Sequence, residues 1–280
     1  MSHRSIIVVR HGERCDFVFN SRDSSWTSKA FDSEGKYQPY DLNMPKTLPK
    51  RKDDWKTVND TPLTVIGQTQ ATMTGNALKE AGVSITAIYC SPALRCVQTA
   101  SGIAKAYGFS DTISVEPGLH EWMQWTKGVR PNFMELIELQ ENGYPINPEY
   151  KPLIDKAELP VSEKLDDFYE RAYSVVKHLL ERHSSGTILL VAHGDMLDSC
   201  TRKLCGGEPR IFEDFFALVH RTPFVGCVQA VEEDDGCWKI GSSPIPTLTH
   251  IGNASYDCQQ LCRDVAPWDD QMKKKRPPWM

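Results

Sequence analysis

Long uninterrupted apolar runs are missing from this 280-residue sequence. No stretch reaches the length of a membrane helix, and Ile6-Ile7-Val8-Val9 near the start is too short for the core of a secretory signal. Positive charge is not in excess either. Lys and Arg number 32 against 37 Asp and Glu, a formal charge of −5, which argues against a general nucleic-acid binder and leaves room for a local cationic pocket. The nine cysteines are odd in number and contain no C-x-x-C pair, so neither a disulfide framework nor a structural zinc site is expected. The wider spacing of Cys258 and Cys262 is read as chance. Reduced thiols and the lack of a signal make the cytoplasm the expected compartment, and there the sequons at Asn59 and Asn253 are chance matches.

Several catalytic motifs are also missing. No cysteine is followed by arginine at the C-x5-R spacing of thiolate phosphatases; Cys90 and Arg95 come one residue short. There is no Asp-x-Asp pair for an aspartyl-phosphate mechanism, no G-x-x-x-x-G-K-[ST] loop, no H-E-x-x-H, and no cluster with dinuclear metal spacing. Among phosphoryl-transfer chemistries this leaves histidine as the candidate nucleophile.

What is present is a thrice-repeated pattern: a short β-branched run, an abrupt polar or small residue, then helical periodicity. The runs are Ser5 to Val9, Ile85 to Cys90 and Thr187 to Ala192, ending respectively in Arg10-His11-Gly12-Glu13-Arg14, Ser91-Pro92-Ala93-Leu94-Arg95 and His193-Gly194-Asp195. Such runs suit central strands of a mostly parallel sheet covered on both faces. Helices are expected from Thr64 to Ala81, closed by Gly82, and from Ala93 to Tyr107, closed by Gly108. A third follows Ser162 as cap, with Leu165, Phe168, Tyr169, Ala172, Val175, Val176, Leu179 and Leu180 as its apolar stripe. The fold class is α/β, a three-layer sandwich in one domain over 1–280, whose ligand site lies beyond the carboxyl ends of the strands. Residues 15 to about 61 are long and polar for a connection and read as an inserted loop region. The basic run from Lys273 reads as a solvated tail.

All three strand ends carry Arg or His. Arginine forks match phosphate oxygens bidentately, a strand-end imidazole can attack phosphorus, and Gly12 would let backbone N–H groups approach the anion. Ser91-Pro92 is read as the start of a helix that carries Arg95. Each cluster alone has an ordinary reading, a salt-bridged turn, a surface arginine or a satisfied core histidine; their coincidence at three strand ends favours a site.

With Leu42 to Pro49, Glu116 to Trp122, Leu190 to His193 and Ile245 to His250, these motifs resemble the histidine phosphatase superfamily, also called phosphoglycerate mutase-like. Over nearly the whole chain the sequence is similar to the branch that holds the C-terminal phosphatase domains of the suppressor-of-T-cell-receptor-signalling proteins and the insect ecdysteroid-phosphate phosphatases. The resemblance implies His11 as phosphoryl acceptor, His193 as second pocket histidine, Arg10, Arg14 and Arg95 as phosphate ligands, and Glu121 as proton donor. Asp195 is a rival donor, or the cap of a helix running toward Leu204. No metal or other cofactor is expected, the partner is a phosphorylated substrate (a phosphotyrosine protein or a small apolar phosphate ester), and a homodimer is implied. The sequence departs from that branch in Gly194-Asp195-Met196, and with a first strand expected from Ser5 no ubiquitin-associated or Src-homology module is expected before it. Phosphoglycerate mutase or sugar-phosphate phosphatase activity, and a catalytically weak phospho-binding scaffold, are the alternatives.

Overall fold

The computed structural model of the chain describes residues 4–246 and 256–263. The strands are β1 (Ser5–Arg10), β2 (Ile85–Cys90), β3 (Ser114–Val115), β4 (Thr187–Ala192), β5 (Cys227–Glu232) and β6 (Trp238–Ile240). The helices are α1 (Cys15–Phe19), α2 (Thr27–Ala30), α3 (Val65–Glu80), α4 (Leu94–Tyr107), α5 (Leu136–Glu141), α6 (Leu165–Arg182), α7 (Met196–Arg202) and α8 (Phe212–Arg221). The strands form one sheet in the order β3-β2-β4-β1-β5-β6. The first four run parallel, whereas β5 is antiparallel to β1 and β6 to β5. The sequon at Asn253, residues 247–250 of the Ile245 to His250 stretch and the tail from Lys273 lie outside the described residues.

The three apolar runs become adjacent strands, β2, β4 and β1, at the middle of the sheet. Alternation sends their side chains both ways. Ile6, Val8, Ile188 and Leu190 pack with α6, α7 and α8, while Ile7, Val9, Leu189 and Val191 pack with α3, α4 and α5. Both faces are therefore covered, which is why these strands read as continuous hydrophobic segments.

Helix ends follow local chemistry. Thr64 caps α3 by accepting from Gly67 N at 3.0 Å, and Gly108, in the left-handed region at φ 84°, closes α4. The sequence places a cap at Ser162, but α6 starts at Leu165 with Lys164 at the cap position and no side-chain cap; Asp166 and Asp167 in its first turn complement the dipole instead. The inserted region is more than a loop. It carries α1 and α2 and a small core of its own, Cys15, Trp26, Ala30 and Met44, against which Phe19, Phe31, Tyr37 and Trp55 pack.

Candidate active site

The three polar clusters meet at the carboxyl ends of β1, β2 and β4. His11 continues the β1 ladder by donating its N–H to the carbonyl of Ala192 at 2.9 Å. The next two N–H groups are already used, Gly12 N by Thr99 Oγ1 at 3.0 Å and Glu13 N by Gln70 Oε1 at 2.8 Å. This corrects the expectation that the turn offers free N–H groups to a ligand. Gly12 is required for a different approach: a Cβ there would lie 2.6 Å from the carbonyl oxygen of Gly67, so the turn is pressed onto the first turn of α3. Glu13 pairs with neither flanking arginine among the described contacts. Its Oε1 accepts from Asn43 Nδ2 at 2.8 Å and from Thr64 Oγ1 at 2.7 Å, which ties the inserted region to α3.

His11 is buried, and its Nδ1 lies 2.8 Å from the carbonyl oxygen of its neighbour Gly12. A carbonyl only accepts, so this contact assigns the proton to Nδ1 and leaves Nε2 with its lone pair. Burial, then the charges of Arg95, Arg10 and Arg14, hold the His11 pKa well below the usual imidazole range. The ring is therefore neutral at physiological pH. Its neighbours are the rings of His193 at 5.5 Å and Phe224 at 5.8 Å, centroid to centroid.

The cations are crowded. Arg10 stacks on Phe224 at 4.6 Å and donates to the carbonyl of Thr222, and burial together with Arg14 lowers its pKa to about 10, so it stays charged. Arg14 is forked onto Asp16, with Nε 2.6 Å from Oδ1. Arg95, buried, donates through Nη2 to Glu121 Oε1 at 2.6 Å and to His193 Nδ1 at 3.2 Å. Among the described residues, the Nε atoms of Arg10 and Arg95 have no acceptor. A guanidinium always donates, so the contact with Arg95 makes His193 Nδ1 an acceptor and places the His193 proton on Nε2, 2.8 Å from Ser91 Oγ. Burial and Arg95 hold His193 neutral as well.

Ser91 thus turns to the histidine, and its contact with the start of the helix is a long 3.4 Å bond from Ala93 N. The cap of α4 is supplied by Asp60, whose Oδ1 accepts from Leu94 N at 2.9 Å, while the helix starts two residues beyond Pro92. Asp195 is likewise no side-chain cap. It sits at the start of α7, which ends at Arg202, and its Oδ2 accepts from Trp122 N at 2.9 Å and Trp125 Nε1 at 3.0 Å. Glu121 reaches the centre on a loop held from behind by α6. Arg171, forked onto Glu163 at 2.7 and 2.8 Å, donates to the carbonyls of Gly118, His120 and Glu121 at 2.7, 2.9 and 3.3 Å. Burial would raise the Glu121 pKa, but Arg95 and the neighbouring His120, Arg14 and Arg10 outweigh it and the net shift is downward.

A cavity of about 480 Å³, within the usual range for small-molecule sites, is lined by Arg10, His11, Arg14, Glu121 and Asp195 at its polar side and by Phe17, Trp125, Val219 and His220 elsewhere. Arg95 and His193 do not line it but touch Glu121, at 2.6 and 3.5 Å. All six sequence-derived residues, Arg10, His11, Arg14, Arg95, Glu121 and His193, therefore belong to one constellation. Sequence reading misses Arg171, Val219, His220 and Phe224, which no local motif marks, and assigns Ser91 to a cap. Among the described residues no group of three or more His, Cys, Asp or Glu could hold a metal ion, and no helix is long and apolar enough to cross a membrane.

The family model described as histidine phosphatase superfamily (branch 1) matches residues 46–240. The chain is 39% identical over 266 residues to the ecdysteroid-phosphate phosphatase of Drosophila melanogaster, covering 92% of this chain and 34% of that protein. It is also 39% identical over 264 residues to the mouse ubiquitin-associated and SH3 domain-containing protein A, covering 92% of this chain and 42% of that one. It thus spans well under half the length of these relatives. The crystal structure of the ecdysone phosphate phosphatase from Bombyx mori in complex with tungstate superposes with a TM-score of 0.75 at 28% identity, over 92% of this chain and 99% of that one. With the strand-end histidines and arginines gathered in one constellation and the family model matched over residues 46–240, this chain belongs to the histidine phosphatase superfamily, branch 1.

Proposed function

We propose that the protein is a phosphomonoesterase that works through a phosphohistidine on His11, with aromatic or polycyclic apolar phosphate esters, phosphotyrosine included, as its substrate class. The observation that carries this reading is the state of His11: a neutral ring whose proton is fixed on Nδ1 by Gly12, with Nε2 left to attack among Arg10, Arg14 and Arg95. In the first step Nε2 forms a bond to phosphorus as the bond to the leaving oxygen breaks. The arginines take up the charge on the phosphoryl oxygens. Glu121 gives its proton to the leaving oxygen and, as carboxylate, then takes one from the water that hydrolyses the phosphohistidine. Glu121 is preferred over Asp195 because it touches both Arg95 and the edge of His193, with Oε2 3.5 Å from Nδ1. The fit to apolar leaving groups is supported by Phe17, Trp125 and Val219 in the lining and by the ecdysteroid phosphates for which the insect relatives are named. The free thiols of all nine cysteines support a reducing compartment, the cytoplasm, and a homodimer is proposed on the family resemblance alone.

The test is turnover of p-nitrophenyl phosphate with and without chelator. Activity is expected to survive chelation, because the cavity carries its own cations. His11→Ala is expected to abolish it, and acid-labile label from a phosphorylated substrate should appear on His11. A strict requirement for an added divalent metal, or label found on a cysteine, would overturn the mechanism.

A further inference from the structure

Residues 222–226, Thr-Pro-Phe-Val-Gly between α8 and β5, carry no ionisable side chain, yet they hold both Arg10 and His11 at the end of β1. The carbonyl of Gly226 accepts from Arg10 N at 3.0 Å, and Val225 N donates to the His11 carbonyl at 3.3 Å. The carbonyl of Thr222 accepts from the Arg10 guanidinium. The Phe224 ring stacks against that guanidinium at 4.6 Å and lies 5.8 Å from the His11 ring. Gly194 flanks the same arginine closely: a Cβ there would lie 3.4 Å from Arg10 Cδ and Nε.

The turn that presents Phe224 is strained. It is closed by Gly226 N donating to the carbonyl of Pro223 at 3.0 Å, and Val225 sits in the left-handed region at φ 52°. A β-branched residue is unfavourable there, where glycine or asparagine is usual. Burial accounts for the valine. Its side chain packs in the same apolar cluster as Ile7 and Val9, so it roots the turn on the strand that carries Arg10 and His11. Strain kept beside a site points to function, and here it fixes the ring that faces Arg10.

Arg10 has need of such a partner. Burial, then the charge of Arg14, works against its own charge. The negative face of an aromatic ring offsets part of this without occupying an N–H group, so the guanidinium edge stays available to a phosphoryl oxygen. A carboxylate partner would take those N–H groups, as Asp16 takes two from Arg14.

We infer that Phe224, presented by the strained turn at Val225, is a positioning residue whose π face sets the Arg10 guanidinium for the phosphoryl group. This rests on the phosphatase reading and deepens it.

The experiment replaces Phe224 with mono-, di- and trifluorophenylalanine, which drain the π face while changing the ring's shape little. Phe224→Leu removes the face altogether. Vanadate affinity and kcat/KM for p-nitrophenyl phosphate are measured in each protein. Both should fall stepwise with fluorination, because Arg10 must then be ordered at the expense of anion binding. The loss should reach about tenfold in the trifluoro protein and in Phe224→Leu, equivalent to about 1.4 kcal/mol and within the range of a desolvated cation–π contact. Values that stay level along the fluorinated series, whatever Phe224→Leu does, would show that the ring only fills space. That would overturn the inference and leave the phosphatase reading intact. If the wild type turns nothing over, the phosphatase reading fails and the vanadate series alone decides the role of Phe224. Absence of vanadate binding as well would overturn both.

Discussion

In this structure Arg95 donates to Glu121 at 2.6 Å, and the pair keeps the carboxyl ionised despite its burial. A general acid must nevertheless carry a proton when the leaving oxygen needs it. A phosphoryl dianion bound by Arg95 competes for the same guanidinium and adds negative charge beside Glu121, and both effects raise the carboxyl's pKa. On the proposed mechanism the proton therefore arrives with the substrate. His11 sets no opposing limit in the acid range, because burial and the arginines keep it neutral well below the usual imidazole pKa. For alkyl phosphates, kcat/KM should decline as pH rises past the second phosphate pKa of about 6, where the substrate monoanion disappears. Glu121→Gln should lose that limb and slow alkyl phosphates by about 10²–10⁴-fold, while p-nitrophenyl phosphate, with its better leaving group, is affected far less. Measuring both substrates across pH decides the assignment. If Asp195→Asn produces this leaving-group dependence and Glu121→Gln does not, Asp195 is the acid.

At the scale of elements, the loop bearing Glu121 owes its position to one side chain of α6. Arg171 and Glu163 are both buried, and the guanidinium's remaining donors go to the Gly118, His120 and Glu121 carbonyls. Removing one partner of such a pair leaves an uncompensated charge and costs about 3–5 kcal/mol. Arg171→Met should lower stability by that amount in denaturant titration and reduce kcat as the loop loosens. Adding Glu163→Leu should recover most of the stability but not kcat, because the three carbonyls still lack their donor. Recovery of both would mean that Arg171 only balances Glu163. This arrangement is also where the sequence stops being legible. The runs Ile85 to Cys90 and Thr187 to Ala192 are continuous because both faces of β2 and β4 are covered, so periodicity finds them. Strand β5, Cys227–Glu232, is only partly buried, sits between β1 and the edge strand β6, and gives no such run. Arg171 lies on a helix whose apolar stripe is legible, but its partners are 8 residues upstream and about 50 upstream, a distance no local pattern spans. The helix caps fail for the same reason: Ser91 is drawn to His193 on another strand, and Asp60 arrives from the inserted region to cap α4.

For the whole molecule, the inserted region reaches the cavity through Phe17. Of its aromatic residues only Phe17 lines the cavity, with Trp125 from the loop after Glu121. Trp26, Phe31, Tyr37 and Trp55 pack the insertion's own core, and Trp122 is buried in the main one. Val219 and His220 of the lining come from α8, in a stretch with no motif, and Phe224 follows just beyond it. The Phe17 ring lies 6.0 Å from that of Phe224 and 4.9 Å from the Arg14 guanidinium, yet it remains 64% exposed. An exposed aromatic at the rim of a cationic cavity gains from covering by an apolar leaving group, and burying roughly 50–100 Å² at about 25 cal/mol per Å² amounts to ~1–2.5 kcal/mol. A small glycolytic phosphate covers none of it, and its carboxylate meets Glu121 and Asp195 with no further cation in the lining. The expected order of kcat/KM is bulky apolar phosphate esters and phosphotyrosine peptides above 3-phosphoglycerate and fructose phosphates. Phe17→Ser should lower the first group about tenfold, the fold-change that 1.4 kcal/mol represents, while leaving the ratio among small phosphates unchanged. A competition assay in which 3-phosphoglycerate outruns the apolar esters, or in which Phe17→Ser slows both groups equally, would show that the insertion shapes the fold without selecting the substrate.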